Sequence, residues 1–335
     1  MKRLVIASSL VLAIASVARA DAPKLEVTGT PKSAEVALGA DIEVEVQVKN
    51  AGTADADLPE LSFDARSVSF EVKFEDGKQA WDARFHVDPP RSQMEPNPLT
   101  PLKREKLKAG DTWKKTFTIP AIASGSWTIV TVYAGATDPE PRELGAFSDP
   151  NRLTKVKDAT ARTVKVTAGP AGENEVRVKL TTNMGSFSLA FYPKEALGSA
   201  LNFVRLAQAG HYDGTPFFRI AEGITVIQGG DKSASAHHEW TIPREQNLKH
   251  ETYSVAMARA GDPNSGGAQF YICYGPLAAK LDKPGEGYAV FAHVVKGKDV
   301  VETLGSVRAS TPQGDGPPKK ALTLESAKTQ LATKE

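Results

Sequence analysis

Cysteine is nearly absent from this chain. One residue of 335, Cys273, carries a thiol. No internal disulfide can form, and stability must come from packing. Cys273 stands between Ile272 and Tyr274 in an apolar run and reads as a small buried hydrophobe, not a reactive thiol. Net charge is nearly absent too, at +1, which removes the electrostatic case for nucleic acid or an acidic membrane surface as a partner. Aromatic residues are only 7%, while 41% hydrophobic and 24% charged residues suffice for a sizeable core and exclude a disordered chain. Beyond residue 21 no apolar run is long enough to span a bilayer, so no membrane span is expected in the mature protein. No glycine-rich phosphate loop opens a helix, and Gly266-Gly267 reads as a turn. No Ser–His–Asp spacing stands out. His237-His238-Glu239 would point apart on a strand or loop and reads as solvated chain, so neither a metal nor another cofactor is expected.

What is present begins at the N-terminus. Lys2 and Arg3 precede an apolar stretch, Leu4 to Ala18, and Ala18-Arg19-Ala20 places small residues where signal peptidase needs them. Residues 1–20 therefore read as a cleaved secretory signal, which puts the mature protein in the periplasm or outside the cell. No cysteine follows that site, so no lipid anchor is expected there.

From residue 25 to 168 the period is that of strands. Residues 42–48, IEVEVQV, and 68–74, VSFEVKF, alternate apolar with polar, as half-buried strands do. Asn50-Ala51-Gly52 and Glu75-Asp76-Gly77-Lys78 are turn signals. Residues 113–119, 127–133 and 162–166 are further strands. The proline-rich stretch 88–100 cannot be an inner strand and reads as a rigid surface loop. Short strands without a helical period argue for an immunoglobulin-like β-sandwich over residues 21–168, without the Cys–Trp–Cys signature of antibody domains. A small-residue linker, 169–174, closes it.

The second domain, 175–328, opens with two alternating runs around Asn183-Met184-Gly185, a β-hairpin. Ala200, Phe203, Val204 and Ala207 then recur at helical spacing, with Ser199 as N-cap and Gly210 as stop. A second short helix is expected near residues 299–304. Residues 331–335 read as frayed.

Two stretches carry the chemistry. In residues 217–231, FFRIAEGITVIQGGD, an arginine and a glutamine sit among aromatics and branched aliphatics. In residues 256–274, AMARAGDPNSGGAQFYICY, Gln269 heads another apolar strand. With the blocks NFVRLAQAGHYDGTPFFRI and GYAVFAHVVKGKDVVE, in this order and spacing, they make residues 175–326 resemble cyclophilin-type peptidyl-prolyl isomerases. The resemblance implies an eight-stranded antiparallel barrel capped by two helices, acting on proline-containing peptide segments of unfolded or exported proteins without a cofactor. It implies Arg219 as the catalytic arginine, with Gln228 and Gln269 holding substrate carbonyls. Val226, Ala258, Arg259, Tyr271, Leu281 and Tyr288 would bind substrate, Tyr271 where phenylalanine is usual and Tyr288 as in bacterial members. The chain also departs from the family. It has one extra residue between Arg219 and Gln228, Ile224 or Thr225 where a pocket aromatic is usual, and Lys280 where an aromatic usually precedes Leu281. These departures keep a second reading open: a weak or inactive cyclophilin-like module that binds peptides, joined to a sandwich that binds another protein. A third makes the sandwich the functional part.

Overall fold

The computed structural model describes residues 24–59, 61, 68–86, 104–137, 153–168, 174–231, 242–283 and 287–334. The signal segment, the stretch 88–100, residues 169–173 of the linker and His237-His238-Glu239 lie outside the described residues.

The first half runs β1 (Leu25–Pro31), β2 (Glu35–Ala37), β3 (Asp41–Asn50), β4 (Ala56–Pro59), β5 (Val68–Glu75) and β6 (Ala80–His86). It continues through β7 (Arg104–Leu107), β8 (Thr112–Pro120), β9 (Gly125–Thr137), β10 (Leu153–Lys157) and β11 (Arg162–Thr167). One sheet has the order β1-β3-β8, a second β2-β11-β9-β5-β6 with β10 also on β9, and β4 and β7 form a separate two-stranded pair. The alternation in β3 buries Ile42, Val44, Val46 and Val48. Phe70 of β5 meets Phe117 of β8 edge-on across the layers, with centroids 6.2 Å apart. This contact packs one sheet against the other. The turn read at residues 75–78 closes the β5–β6 hairpin, with Gly77 at φ +87° and Asp76 accepting from the Lys78 and Gln79 amides.

The second half runs β12 (Asn174–Thr182), β13 (Gly185–Phe191), α1 (Leu197–Gln208), β14 (Thr215–Pro216), β15 (Arg219–Ala221) and β16 (Val226–Gly229). It ends with β17 (Ser254–Met257), β18 (Phe270–Cys273), β19 (Val290–Lys296), α2 (Lys298–Ser306), β20 (Asp315–Gly316) and β21 (Thr323–Thr333). The strand path is β14-β21-β12-β13-β19-β17-β18-β16-β15-β20. β14 and β15 are halves of one bent strand. Its first half pairs with β21 and its second with β16, and the Phe218 amide donates to the Gln228 carbonyl. Counted so, eight strands close a barrel, with the two-residue β20 added on β15 outside the circuit, and two helices accompany them, as the resemblance implied.

Two expectations are corrected here. Ser199 does not cap α1: the N-cap is Ala196, with no side-chain bond of its own. Glu245, distant in sequence, takes that place, accepting from the Gly198 and Ser199 amides at 2.8 Å each and from the Ser199 hydroxyl at 2.7 Å. Burial raises its carboxyl above the usual range, against the opposing pull of these three donors. A long-range cap leaves no local spacing signal, so the nearest serine was misread. Nor is the chain end frayed through 333. β21 reaches Thr333, opposite Asn174, because β12 offers it a full ladder.

The C-terminal stop is as expected. Gly210 has φ +72°, and the Gly210 and His211 amides donate to the Ala207 and Leu206 carbonyls, a Schellman ending that favours glycine. α1 is buried from Leu197 to Ala207, more than the one-sided stripe of a surface helix. Besides the barrel, it packs against β6 and β8 of the sandwich. Gln208 donates to Asp41 at 3.2 Å, and Lys194 meets Asp76 at 2.5 Å. The Lys194 ammonium, with the two turn amides, holds the Asp76 carboxyl well below the usual carboxylate range.

Candidate active site

Side chains alternate faces along a strand, and the barrel's register sorts them into two groups. Ile220, Ile227, Ile272 and Val255 lie opposite one another across β15, β16, β18 and β17. All belong to the main core. The intervening row is Arg219, Gln228, Tyr271 and Ala256, on the other face. The same face of β16 and β18 adds Val226 opposite Cys273. Strands fully apolar on one face thus carry a guanidinium and a carboxamide on the other.

A second apolar cluster forms there. It contains Ala221, Val226, Ala256, Ala258, Tyr271, Cys273, Ala278 and Val290, with Ile224, Leu281 and Tyr288 packed on it. Val226, Ala258, Tyr271, Leu281 and Tyr288, which sequence reading assigned to substrate, are therefore brought together. Arg259 joins them, its guanidinium 4.5 Å from the Tyr288 ring centre. The Ala258 amide is occupied by the Gln269 carbonyl at 2.9 Å. Burial pushes the Cys273 thiol up to about 12, so it is the inert hydrophobe expected.

The polar groups form a chain. Arg219 donates through Nη1 to Gln228 Oε1 at 2.9 Å, and Gln228 Nε2 donates to Gln269 Oε1 at 3.1 Å. On its other side Arg219 Nε and Nη2 grip both carboxylate oxygens of Asp315, at 2.6 and 2.8 Å. This bond to Asp315 raises the Arg219 pKa and lowers that of Asp315, so the guanidinium stays charged at any working pH. After QGGD's glutamine the chain must pass under Phe270. A Cβ on Gly230, φ +92°, would fall 2.6 Å from that ring and 2.7 Å from the Ala268 carbonyl. Only glycine fits.

The pocket wall holds groups that sequence reading missed. Tyr271 is almost fully buried, and its hydroxyl lies 2.7 Å from His250 Nε2. His250 Nδ1 lies 2.6 Å from Asp282, which also accepts from the His250 amide. A carboxylate only accepts, so Nδ1 carries the proton facing it, and Nε2 is left to pair with the Tyr271 hydroxyl. Burial raises the Tyr271 pKa well above its ordinary value. A tyrosine replacing phenylalanine in an apolar strand was the one available signal, since a buried hydroxyl needs a partner. The spacing to His250 and Asp282 gave none.

The departures from the family have physical counterparts. The lengthened connection forms a 3-10 turn, Glu222–Ile224, and then Thr225 at φ +49°, which costs a β-branched residue about 1–2 kcal/mol. Lys280 lies in the facing 3-10 turn Pro276–Leu281, and its ammonium donates to the Gly223 carbonyl at 3.0 Å. Lysine therefore latches the two turns where an aromatic was expected to fill space.

Comparison with known proteins agrees. The family described as cyclophilin type peptidyl-prolyl cis-trans isomerase/CLD matches residues 177–329. The peptidyl-prolyl cis-trans isomerase cyp18 of Streptomyces antibioticus is 35% identical over 45% of this chain and 96% of its own length. Peptidyl-prolyl cis-trans isomerase A of Dickeya dadantii is 33% identical over 47% of this chain and 86% of its own. Among solved structures, a Cryptosporidium parvum cyclophilin type peptidyl-prolyl isomerase in the presence of the dipeptide Ala-Pro is 22% identical. That match covers 48% of this chain and 99% of the other, with a TM-score of 0.39. With 35% identity across nearly the whole of a curated relative, and the barrel and polar row in place, the chain belongs to the cyclophilin-type peptidyl-prolyl cis-trans isomerase family.

Proposed function

We propose that residues 175–328 catalyse cis–trans exchange at Xaa-Pro bonds of exported proteins, in the periplasm or outside the cell, after removal of residues 1–20. The observation that carries the reading is the row Arg219–Gln228–Gln269 beside an apolar pocket on the outer face of the barrel. Exchange must break amide resonance against a barrier of about 20 kcal/mol. In the twisted state the prolyl nitrogen becomes pyramidal and gains a lone pair. Arg219, charged and held on two sides, donates towards that nitrogen and the adjacent carbonyl, favouring the twisted state over both planar ones. Gln228 and Gln269 hold substrate carbonyls, while Val226, Tyr271, Leu281 and Tyr288 take the proline ring. Ala258 and Arg259 flank the peptide.

Exchange spectroscopy or a protease-coupled assay on Xaa-Pro peptides tests the reading, and a wild-type rate equal to the solvent rate overturns it. One observation favours the alternative, a peptide-binding module with little turnover: the Lys280 ammonium is taken up by the Gly223 carbonyl where an aromatic would help wall the pocket. Binding without exchange is the outcome that selects it. The location is tested separately. Mass analysis of the exported protein is expected to find Asp21 at the N-terminus, and an intact Met1 would refute it.

The division into a sandwich over 21–168, a linker over 169–174 and an isomerase domain is likewise proposed. The barrel's ladders are all internal to residues 174–333, and the matched region, 177–329, lies within it. A fragment starting at Gly172 is expected to retain isomerase activity and unfold in one step. Its melting point should be lower than the intact chain's, because α1 loses its cover from β6 and β8. A molten fragment would show that the sandwich completes the barrel. The sandwich itself is proposed to engage a protein partner.

A further inference from the structure

We propose that Asp315 is a positioning residue for Arg219, fixing the plane of the guanidinium against which the prolyl bond twists. The inference rests on the isomerase reading. Asp315 reaches Arg219 by register. In β20 it stands opposite Ala221 of β15, two residues from Arg219 and on the same face, so the pair are diagonal neighbours across two strands. Such neighbours lie about 7–8 Å apart, within reach of long side chains. The contact is side-on and bidentate, through Nε and Nη2. Two parallel N–H···O bonds define a plane, which the single bond to Gln228 does not. Of the five guanidinium N–H groups, these three bonds use one each on Nε, Nη1 and Nη2. One N–H on Nη1 and one on Nη2 are left for a substrate, in a fixed orientation.

The lengthened turn anchors the loop that carries Asp315. Glu222 donates its amide to the Gly314 carbonyl at 2.7 Å. Its carboxylate accepts from Arg308 Nη2 at 2.8 Å and from the Ala309 amide at 3.1 Å. The Arg308 bond holds the Glu222 carboxyl below its usual range. Within the loop the Thr311 hydroxyl donates to the Asp315 carbonyl at 2.8 Å. A Cβ on Gly316 would come within 2.7 Å of the Thr311 methyl, so the return from Thr311 to β20 admits no side chain there. The turn that holds the extra residue before Gln228 packs Ile224 on the pocket cluster and, through Glu222, also anchors the loop of the arginine's other partner.

The pair is half-exposed, 37% for Arg219 and 48% for Asp315, and exposed ion pairs add little stability. Asp315→Asn is therefore expected to melt within about 2 °C of wild type. Its peptide Kd should stay within about two-fold, while exchange of the bound peptide slows about ten-fold, since misorientation weakens contacts made in the twisted state. Asp315→Glu, which restores the carboxylate, should recover part of the loss. In an Arg219→Lys background, where no side-on fork exists, Asp315→Asn should change the rate less than two-fold. A wild-type rate in Asp315→Asn, or a rise, overturns the proposal and leaves the isomerase reading standing. A full additive loss in the Arg219→Lys background also overturns it, because Asp315 would then act through something else. Wild-type protein without activity overturns both.

Discussion

Arg219→Ala is expected to lower kcat/KM on Xaa-Pro peptides by about 10²–10³-fold, or about 3–4 kcal/mol of transition-state stabilisation. The size follows from where the arginine acts. Planar cis and trans prolyl amides have their nitrogen lone pair delocalised into the carbonyl, and a donor facing that nitrogen gains little from them. The twisted state localises the pair, so the same donor strengthens as the bond rotates. An interaction realised only there appears in turnover rather than in ground-state affinity. Peptide Kd should therefore change far less than turnover. The fold should survive the change. Arg219 lies on the outer face with Gln228 and Tyr271, while its neighbour Ile220 is the residue committed to the core. Far-UV circular dichroism and melting should stay near wild type. Gln228→Ala and Gln269→Ala should cost less, each removing a hold on substrate and one link of the chain Arg219–Gln228–Gln269. Full activity in Arg219→Ala would leave isomerisation possible and remove this mechanism.

The strands, α1 and the polar residues in apolar strands were legible from local signals, and the resemblance to a family supplied the closed barrel and the roles of the row. Alternation in residues 176–180 and 187–191, the 3-4-7 spacing of Ala200, Phe203, Val204 and Ala207, and a guanidinium in an apolar strand all survive in linear sequence. The alternation also set the face: Arg219 and Gln228 had to leave the core that Ile220 and Ile227 enter. What escaped reading depends on residues far apart in the chain. Glu245 caps a helix beginning 48 residues earlier, so Ser199 took its role on paper. His250, 21 residues away, pairs with the Tyr271 hydroxyl and is itself held by Asp282 on a separate loop. Asp315 lies 96 residues beyond Arg219 in a two-residue strand with no pattern of its own. Lys280 was legible as a missing aromatic, but not as the donor that ties two turns together. The sandwich followed from its alternating strands β3 and β5. Short strands such as β2 and β4 have too few residues to show a period.

Phe203→Ala is expected to be the most damaging single change to the fold, costing about 3–5 kcal/mol. Phe203 is fully buried on α1. Its ring centre lies 4.8 Å from Tyr212, 5.1 Å from Phe270, 5.3 Å from Phe291 and 5.8 Å from Phe191. Those four partners sit on the turn after α1 and on β18, β19 and β13, so one ring joins the helix to three barrel strands. Alanine would remove the ring from the middle of this cluster. Collapse around the cavity is limited, because three of the four neighbouring aromatics are fixed by different strands. Against a total stability of about 5–15 kcal/mol, the loss is a large fraction, and the melting point should fall by about 6–20 °C. The consequence reaches the site through β18. Phe270 lies between Gln269 and Tyr271, so its side chain anchors the strand that presents both to the outer face. Well below the new melting point, Phe203→Ala should retain isomerisation, with weakened peptide binding as β18 loosens. Phe203→Leu, which refills part of the cavity, should lie between the variant and wild type in both measurements. Calorimetry finding less than about 1 kcal/mol of destabilisation would mean that α1 is held chiefly by the sandwich side, through β6 and β8, and not by the aromatic cluster.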